Sequence, residues 1–184
     1  SECLVGSEMC IRDSPDILSK IRFYENDAIS LGTLYSFETQ IQRAISERVW
    51  MKSGAYLIIQ PTEALTVIDV NSGKNTSGKN AEEYYYKINL EAAAEISRQL
   101  RLRNISGIVI VDFINMAKEE QRKELMHQFR LSLKEDPVPV RLVDITKLGL
   151  VELTRKKERK TLLEQVAQLR CCLLYTSPSP RDTR

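Results

Sequence analysis

The 184 residues carry 27 Lys and Arg against 25 Asp and Glu, a net charge of +2, with 42% hydrophobic residues. That content suffices for a buried core in one or two soluble domains. The mildly basic balance permits a nucleic-acid partner without requiring one. No apolar run is long enough to span a bilayer, which excludes a helical membrane-spanning protein.

The two ends are set apart before any fold is read. A back-translation of residues 172–182 has a reverse complement that, in a shifted frame, encodes residues 4–13. Unrelated termini have no reason to encode one another on opposite strands, so residues 1–14 and 171–184 read as translated sequencing adapter, to be excluded like a fusion scar. Cys3, Cys10, Cys171 and Cys172 all lie in or against these ends, and no disulfide or zinc site is built on them. The cysteine-free interior is compatible with a reducing cytoplasm.

In chain order, residues 21–24 suggest a short strand, and residues 25–28 a polar turn. Residues 37–50 are predicted helical, with Ile41, Ala44, Ile45 and Val49 at helical spacing. Residues 55–59 and 64–70 form a predicted antiparallel hairpin around Gln60-Pro61-Thr62-Glu63, with the proline confined to the turn. Residues 71–80 are a polar loop in which Gly73 and Gly78 permit close approach, and Lys74 and Lys79 could meet phosphate; the plain alternative is a flexible connection. A long helix follows over 82–103, its inward stripe being Tyr85, Ile88, Ala92, Ile96 and Leu100. The run Tyr84–Tyr86 could stack on bases, although packing needs at least one of those rings. Arg98, Arg101 and Arg103 close the helix, where cations favour the dipole.

A strand over 108–113, a helix over 118–134 with Leu125, Phe129 and Leu133 inward, strands at 138–145 and 150–153, and a helix over 156–169 complete the plan. A basic knot, Arg155, Lys156, Lys157, Arg159 and Lys160, leads the last helix. His127, the only histidine, reads as a solvated helical residue. Strands and helices in this order predict an α/β fold, a mixed sheet with flanking helices.

The chemistry concentrates at two strand ends. Alternation puts Leu65, Val67, Asp69 and Asn71 on one strand face, and the apolar run 107–111 ends in Asp112. Within about 4 Å, two carboxylates repel by roughly 4 kcal/mol at an effective dielectric of 20. Either a proton is shared or a cation sits between them. The cation alternative suits Mg²⁺, a hard ion held by one or two carboxylates while keeping waters and phosphate oxygens. Read as turn or capping residues, the same aspartates need no ligand. There is no P-loop, and one misplaced histidine cannot complete a Ser-His-Asp triad.

TEALTVIDVNSG, NLEAAAEISRQLRLRNISGIVIVDFINM and LGLVELTRKK closely resemble the bacterial ribonuclease E/G family, over about residues 24–157. The resemblance implies a Mg²⁺-dependent cytoplasmic endoribonuclease that cuts single-stranded RNA in mRNA decay and rRNA maturation, leaving 5′-phosphate and 3′-hydroxyl ends. It implies that residues 15–52 are the end of an RNase H-like segment and 53–170 a DNase I-like catalytic lobe, a fragment of a longer homo-oligomeric parent. Carried over, Asp69 and Asp112 match the metal-binding aspartates and Asn71 the asparagine that supports them; Lys74, Lys79, Arg101, Arg155 and Lys156 are the candidate RNA contacts. Many relatives have aspartate where this chain has Gln60 and Asn115, so Asn115 is given no metal role. The family's zinc-linking cysteine motif is expected to be absent. Two rivals stand beside this reading: a non-catalytic RNA-binding or scaffold module of the same fold, and a different metal phosphodiesterase acting on duplex DNA.

Overall fold

A computed structural model describes residues 24, 28–73, 81–146 and 148–175, with backbone alone for 169–175. Lys74, Lys79 and all but Tyr24 of the strand predicted at 21–24 lie outside the described residues. The chain divides into two compact units, one ending at Gln40 and the other beginning at Ile41. In the first, Ser30 caps α1 (Leu31–Leu34) by accepting the Thr33 amide at 3.2 Å. A second helix, α2 (Phe37–Ile45), starts in this unit and ends in the next.

The second unit holds one six-stranded sheet: β1 (Arg48–Trp50), β2 (Tyr56–Pro61), β3 (Leu65–Asn71), β4 (Gly107–Asp112), β5 (Val140–Ile145) and β6 (Leu150–Arg155). Its spatial order is β1-β2-β3-β4-β6-β5, antiparallel throughout except for the parallel β3–β4 pair. The predicted mixed α/β sheet is therefore the observed fold. Parallel pairing follows from connectivity, because α3 (Ala81–Arg103) carries the chain from the end of β3 back to the start of β4.

The sheet has one dry face. Leu57, Ile59, Ile68, Val70, Val109, Val111, Val151 and Leu153 are buried, as are Ile88, Ala92, Ala93, Ile96 and Leu100 of α3. A further helix, α4 (Glu119–Leu133), adds Leu125, Met126, Phe129 and Leu133. Phe129 is wholly buried and meets Phe113 edge-on, with ring centroids 5.8 Å apart. A buried ring of that size contributes about 1.5–3 kcal/mol by area removed from water.

Three local expectations change. Residues 48–50 are strand rather than helix: Arg48, Val49 and Trp50 pair with Ile58, Leu57 and Tyr56, so the sheet begins before residue 53. Three residues are too few for a period to show, and β-branched and aromatic side chains favour the pleat. The inward tyrosines of α3 are Tyr84 and Tyr86 rather than Tyr85, because Tyr84 lies one full turn before Ile88. Pro61 is the last residue of β2, opposite Thr66. The final helix, α5 (Leu162–Tyr175), begins at a reciprocal cap. There the Glu164 carboxylate accepts the Thr161 amide at 2.7 Å, and the Thr161 hydroxyl accepts the Glu164 amide at 3.2 Å.

Candidate metal centre at two strand ends

Asp69 and Asp112 are direct partners across the parallel β3–β4 pair, the last pairing of that ladder. One pair earlier Ile68 and Val111 are both buried, so the aspartates project from the opposite, open face. Asp69 is half-buried and Asp112 exposed. Neighbouring strands lie about 4.8 Å apart, and two charges at about 5 Å repel by about 3 kcal/mol at an effective dielectric of 20. A divalent cation relieves that repulsion. Among the described residues no third Asp, Glu, His or Cys gathers with them into a metal-holding cluster. Two carboxylates suffice for Mg²⁺, which retains several waters.

Asn71, one strand period beyond Asp69, donates from Nδ2 to Asp69 Oδ2 at 2.7 Å. It thereby fixes one oxygen of the carboxylate. Just beyond, Gly73 has φ +69°, and a Cβ there would sit 2.6 Å from the Gly54 carbonyl oxygen. Only glycine fits that close approach between the strand end and the β1–β2 turn.

The segment after Asp112 is held by residues that sequence reasoning passed over. Asn89, fully buried on α3, clamps Ile114 from both sides: its Nδ2 donates to the Ile114 carbonyl at 2.7 Å, and its Oδ1 accepts the Ile114 amide at 3.0 Å. Arg122 donates to the Met116 and Ala117 carbonyls at 2.8 and 3.3 Å. The only sequence signal for Asn89 was a polar residue on the apolar stripe of α3. Asn89→Ala is expected to orphan two backbone groups, costing about 2–3 kcal/mol and lowering the melting temperature by roughly 5–10 °C. An unchanged thermal melt would show that the clamp contributes nothing.

A recess of about 210 Å³ adjoins Asp112, lined among others by Asn115, Met116, Leu148 and Gly149. The larger depression, about 830 Å³, lies at the other end of β3 and β4, by Thr62–Thr66 and Gly107. Size does not mark the chemistry here, since the carboxylates are at the opposite strand ends.

The remaining predicted RNA contacts separate. Arg155 is 4% exposed and fully engaged: it donates to both Asp136 carboxylate oxygens at 2.8 and 3.2 Å, to Asn104 Oδ1 and to the Ile105 carbonyl. It is a core ion pair that ties β6 to the ends of α3 and α4, not a free cation for RNA. Arg101 is half-buried and faces Glu135 at 3.7 Å. Lys156 is exposed, 3.4 Å from Glu158. His127 is exposed on α4, and Asn115 is exposed beside the recess.

The α/β sheet thus presents two in-register aspartates at neighbouring strand ends, an arrangement of the kind that suits a hard divalent cation. A model of the ribonuclease E/G family matches residues 6–158, and the chain belongs to that family. It is 40% identical over 148 residues to ribonuclease G of Salmonella typhimurium, covering 80% of this chain and 30% of that protein. It is also 44% identical over 142 residues to ribonuclease E of Synechocystis (77% and 21% covered) and 45% identical over 141 residues to ribonuclease E of Nostoc (77% and 20% covered). The chain thus spans about three-tenths or less of the length of these curated relatives.

Proposed function

We propose that this chain carries the catalytic centre of a Mg²⁺-dependent endoribonuclease that cuts single-stranded RNA. The observation that supports it most is the direct pairing of Asp69 with Asp112 on one sheet face, in a chain of the ribonuclease E/G family. Asp69 and Asp112 would hold the ion, with Asn71 fixing one oxygen of the Asp69 carboxylate. Mg²⁺ bound there supplies Lewis-acid polarisation of a phosphoryl oxygen and eases deprotonation of a water.

In the proposed reaction, water adds to the scissile phosphorus in line, the P–O3′ bond breaks, and the 3′ oxygen takes a proton. The products are a 5′-phosphate and a 3′-hydroxyl. Asn89 and Arg122 act as positioning residues, fixing the backbone that follows Asp112. Among the candidate RNA contacts, exposed Lys156 follows Arg155, which pairs with Gly107 at the strand ends away from Asp112. It would meet only a phosphate well removed from the scissile one, without reading sequence.

Single-stranded substrate, roles in mRNA decay and rRNA maturation, a bacterial cytoplasmic setting and a homo-oligomeric parent all belong to this proposal. They rest on family membership; the relatives named above are called ribonuclease G and ribonuclease E. Among the described residues no helix is long and apolar enough to cross a membrane.

The test is cleavage of a single-stranded RNA with Mg²⁺ and with chelator. Mg²⁺-dependent cutting supports the enzyme. RNA binding with no cutting would favour the scaffold reading, and preferential cutting of duplex DNA the other phosphodiesterase.

A further inference from the structure

The open sheet face carries an aromatic feature that the cleavage reaction does not use. Trp50 on β1 is 62% exposed, an unusual setting for the largest apolar side chain in the protein. Its pairing partner Tyr56 lies with ring centroids 5.1 Å apart and planes tilted 56°. The Arg48 guanidinium sits 4.7 Å from the Tyr56 ring centroid and 5.7 Å from that of Trp50. Such cation–aromatic contacts hold a long side chain in place while its charge stays in water.

Register ties this cluster to the carboxylates. Trp50 pairs with Tyr56, and Tyr56 pairs with Asn71. In the adjacent row Arg48 pairs with Ile58, Ile58 with Asp69, and Asp69 with Asp112. Directly opposed residues share a sheet face, so the aromatic pair, the guanidinium and both aspartates look out on the same side. Two strand spacings, about 10 Å, separate β1 from β3.

We infer that Trp50 and Tyr56, braced by Arg48, form a stacking platform for an unpaired nucleobase of the RNA strand whose phosphate reaches Asp69 and Asp112. The inference rests on the proposed RNA-cleaving function and adds to it the place where the strand is gripped. An exposed indole offers a flat surface to any base, and the guanidinium supplies the charge that a phosphodiester backbone requires. The two carboxylates repel a polyanion, so a cation on the same face, fixed against the rings, offsets them at the point of approach. A stacked base demands a single strand, because bases within a duplex already stack on each other.

Trp50 is the only tryptophan, so its emission reports on its own surroundings. The chain is titrated in chelator, where nothing is cut, with a labelled single-stranded RNA of about ten nucleotides, the same strand made abasic, and inorganic polyphosphate. Quenching by the RNA, and by neither control, is the expected result. Trp50→Ala is expected to weaken binding, read by anisotropy of the label, about ten- to hundredfold, with Trp50→Phe retaining most of it. RNA binding that leaves the emission unchanged would overturn the platform and leave the face to a polypeptide. Failure of the RNA to bind, or equal affinity for Trp50→Ala, would overturn it as well. The two readings fail separately: Asp69→Asn is expected to stop cleavage yet keep the quench. Mg²⁺-dependent cutting without quenching would refute only the platform.

Discussion

Asp69→Asn and Asp112→Asn are each expected to lower Mg²⁺-dependent RNA cleavage by roughly a thousandfold or more while changing RNA affinity little. Either substitution leaves the backbone pairing of β3 with β4 intact, since that ladder is made by main-chain groups. What it removes is one of the two charges proposed to hold the ion. Electrostatic stabilisation by a bound divalent cation is worth several kcal/mol, and each 1.36 kcal/mol is a decade in rate. Asn71→Ala is milder, because it frees the Asp69 carboxylate without deleting it; a loss of about ten- to a hundredfold is the usual scale for such supporting contacts. Cleavage rates for the three variants check this order. A Asp112→Asn variant cutting at the parental rate would remove Asp112 from the reaction.

The second large effect concerns stability. Arg155→Met leaves buried Asp136 without its hydrogen-bonded cation; the two side chains are only 3% and 1% exposed. Breaking one side of such a pair costs about 3–5 kcal/mol, whereas replacing both partners by apolar residues is often neutral. Arg155→Met should therefore be severely destabilised in denaturant melts, and adding Asp136→Leu should restore much of the loss. If Arg155→Met instead melted like the parent and lost only RNA affinity, Arg155 would be an RNA contact after all.

The same pair sets an acid limit. Burial pushes the Asp136 carboxyl up, but the Arg155 hydrogen bonds, the Val138 amide and the charges of Arg155 and Arg101 outweigh it and hold its pKa below the ordinary value. A carboxyl lowered in the folded state contributes its full stabilisation above the unfolded value of about 3.9. That contribution is lost as pH falls below about 4 through the lowered folded value. Melts across this window should show a smaller loss in the Arg155→Met, Asp136→Leu double variant than in the parent, the remainder coming from other lowered carboxyls such as that of Glu95.

The neighbouring placement of Asp69 and Asp112 was legible because each lies at or near the end of an apolar run. A long amphipathic stretch between two such runs forces a crossover, and a crossover permits parallel pairing. What could not be read was carried by partners distant in sequence. Arg155 looked like one cation in a basic knot, and only the fold brings Asp136 and Asn104 to it. Asn89 drew no attention in the sequence, because its partner Ile114 lies 25 residues away. β1 is too short to show a period, so its exposed Trp50 was assigned to a helix; strand order likewise places β6 between β4 and β5, against chain order.

The central claim is that Asp69 and Asp112 share one divalent ion, and Mn²⁺ binding followed by electron paramagnetic resonance tests it most directly. One Mn²⁺ per chain is predicted, displaced by Mg²⁺ and lost in both Asp69→Asn and Asp112→Asn. Undiminished Mn²⁺ affinity in either variant would contradict it.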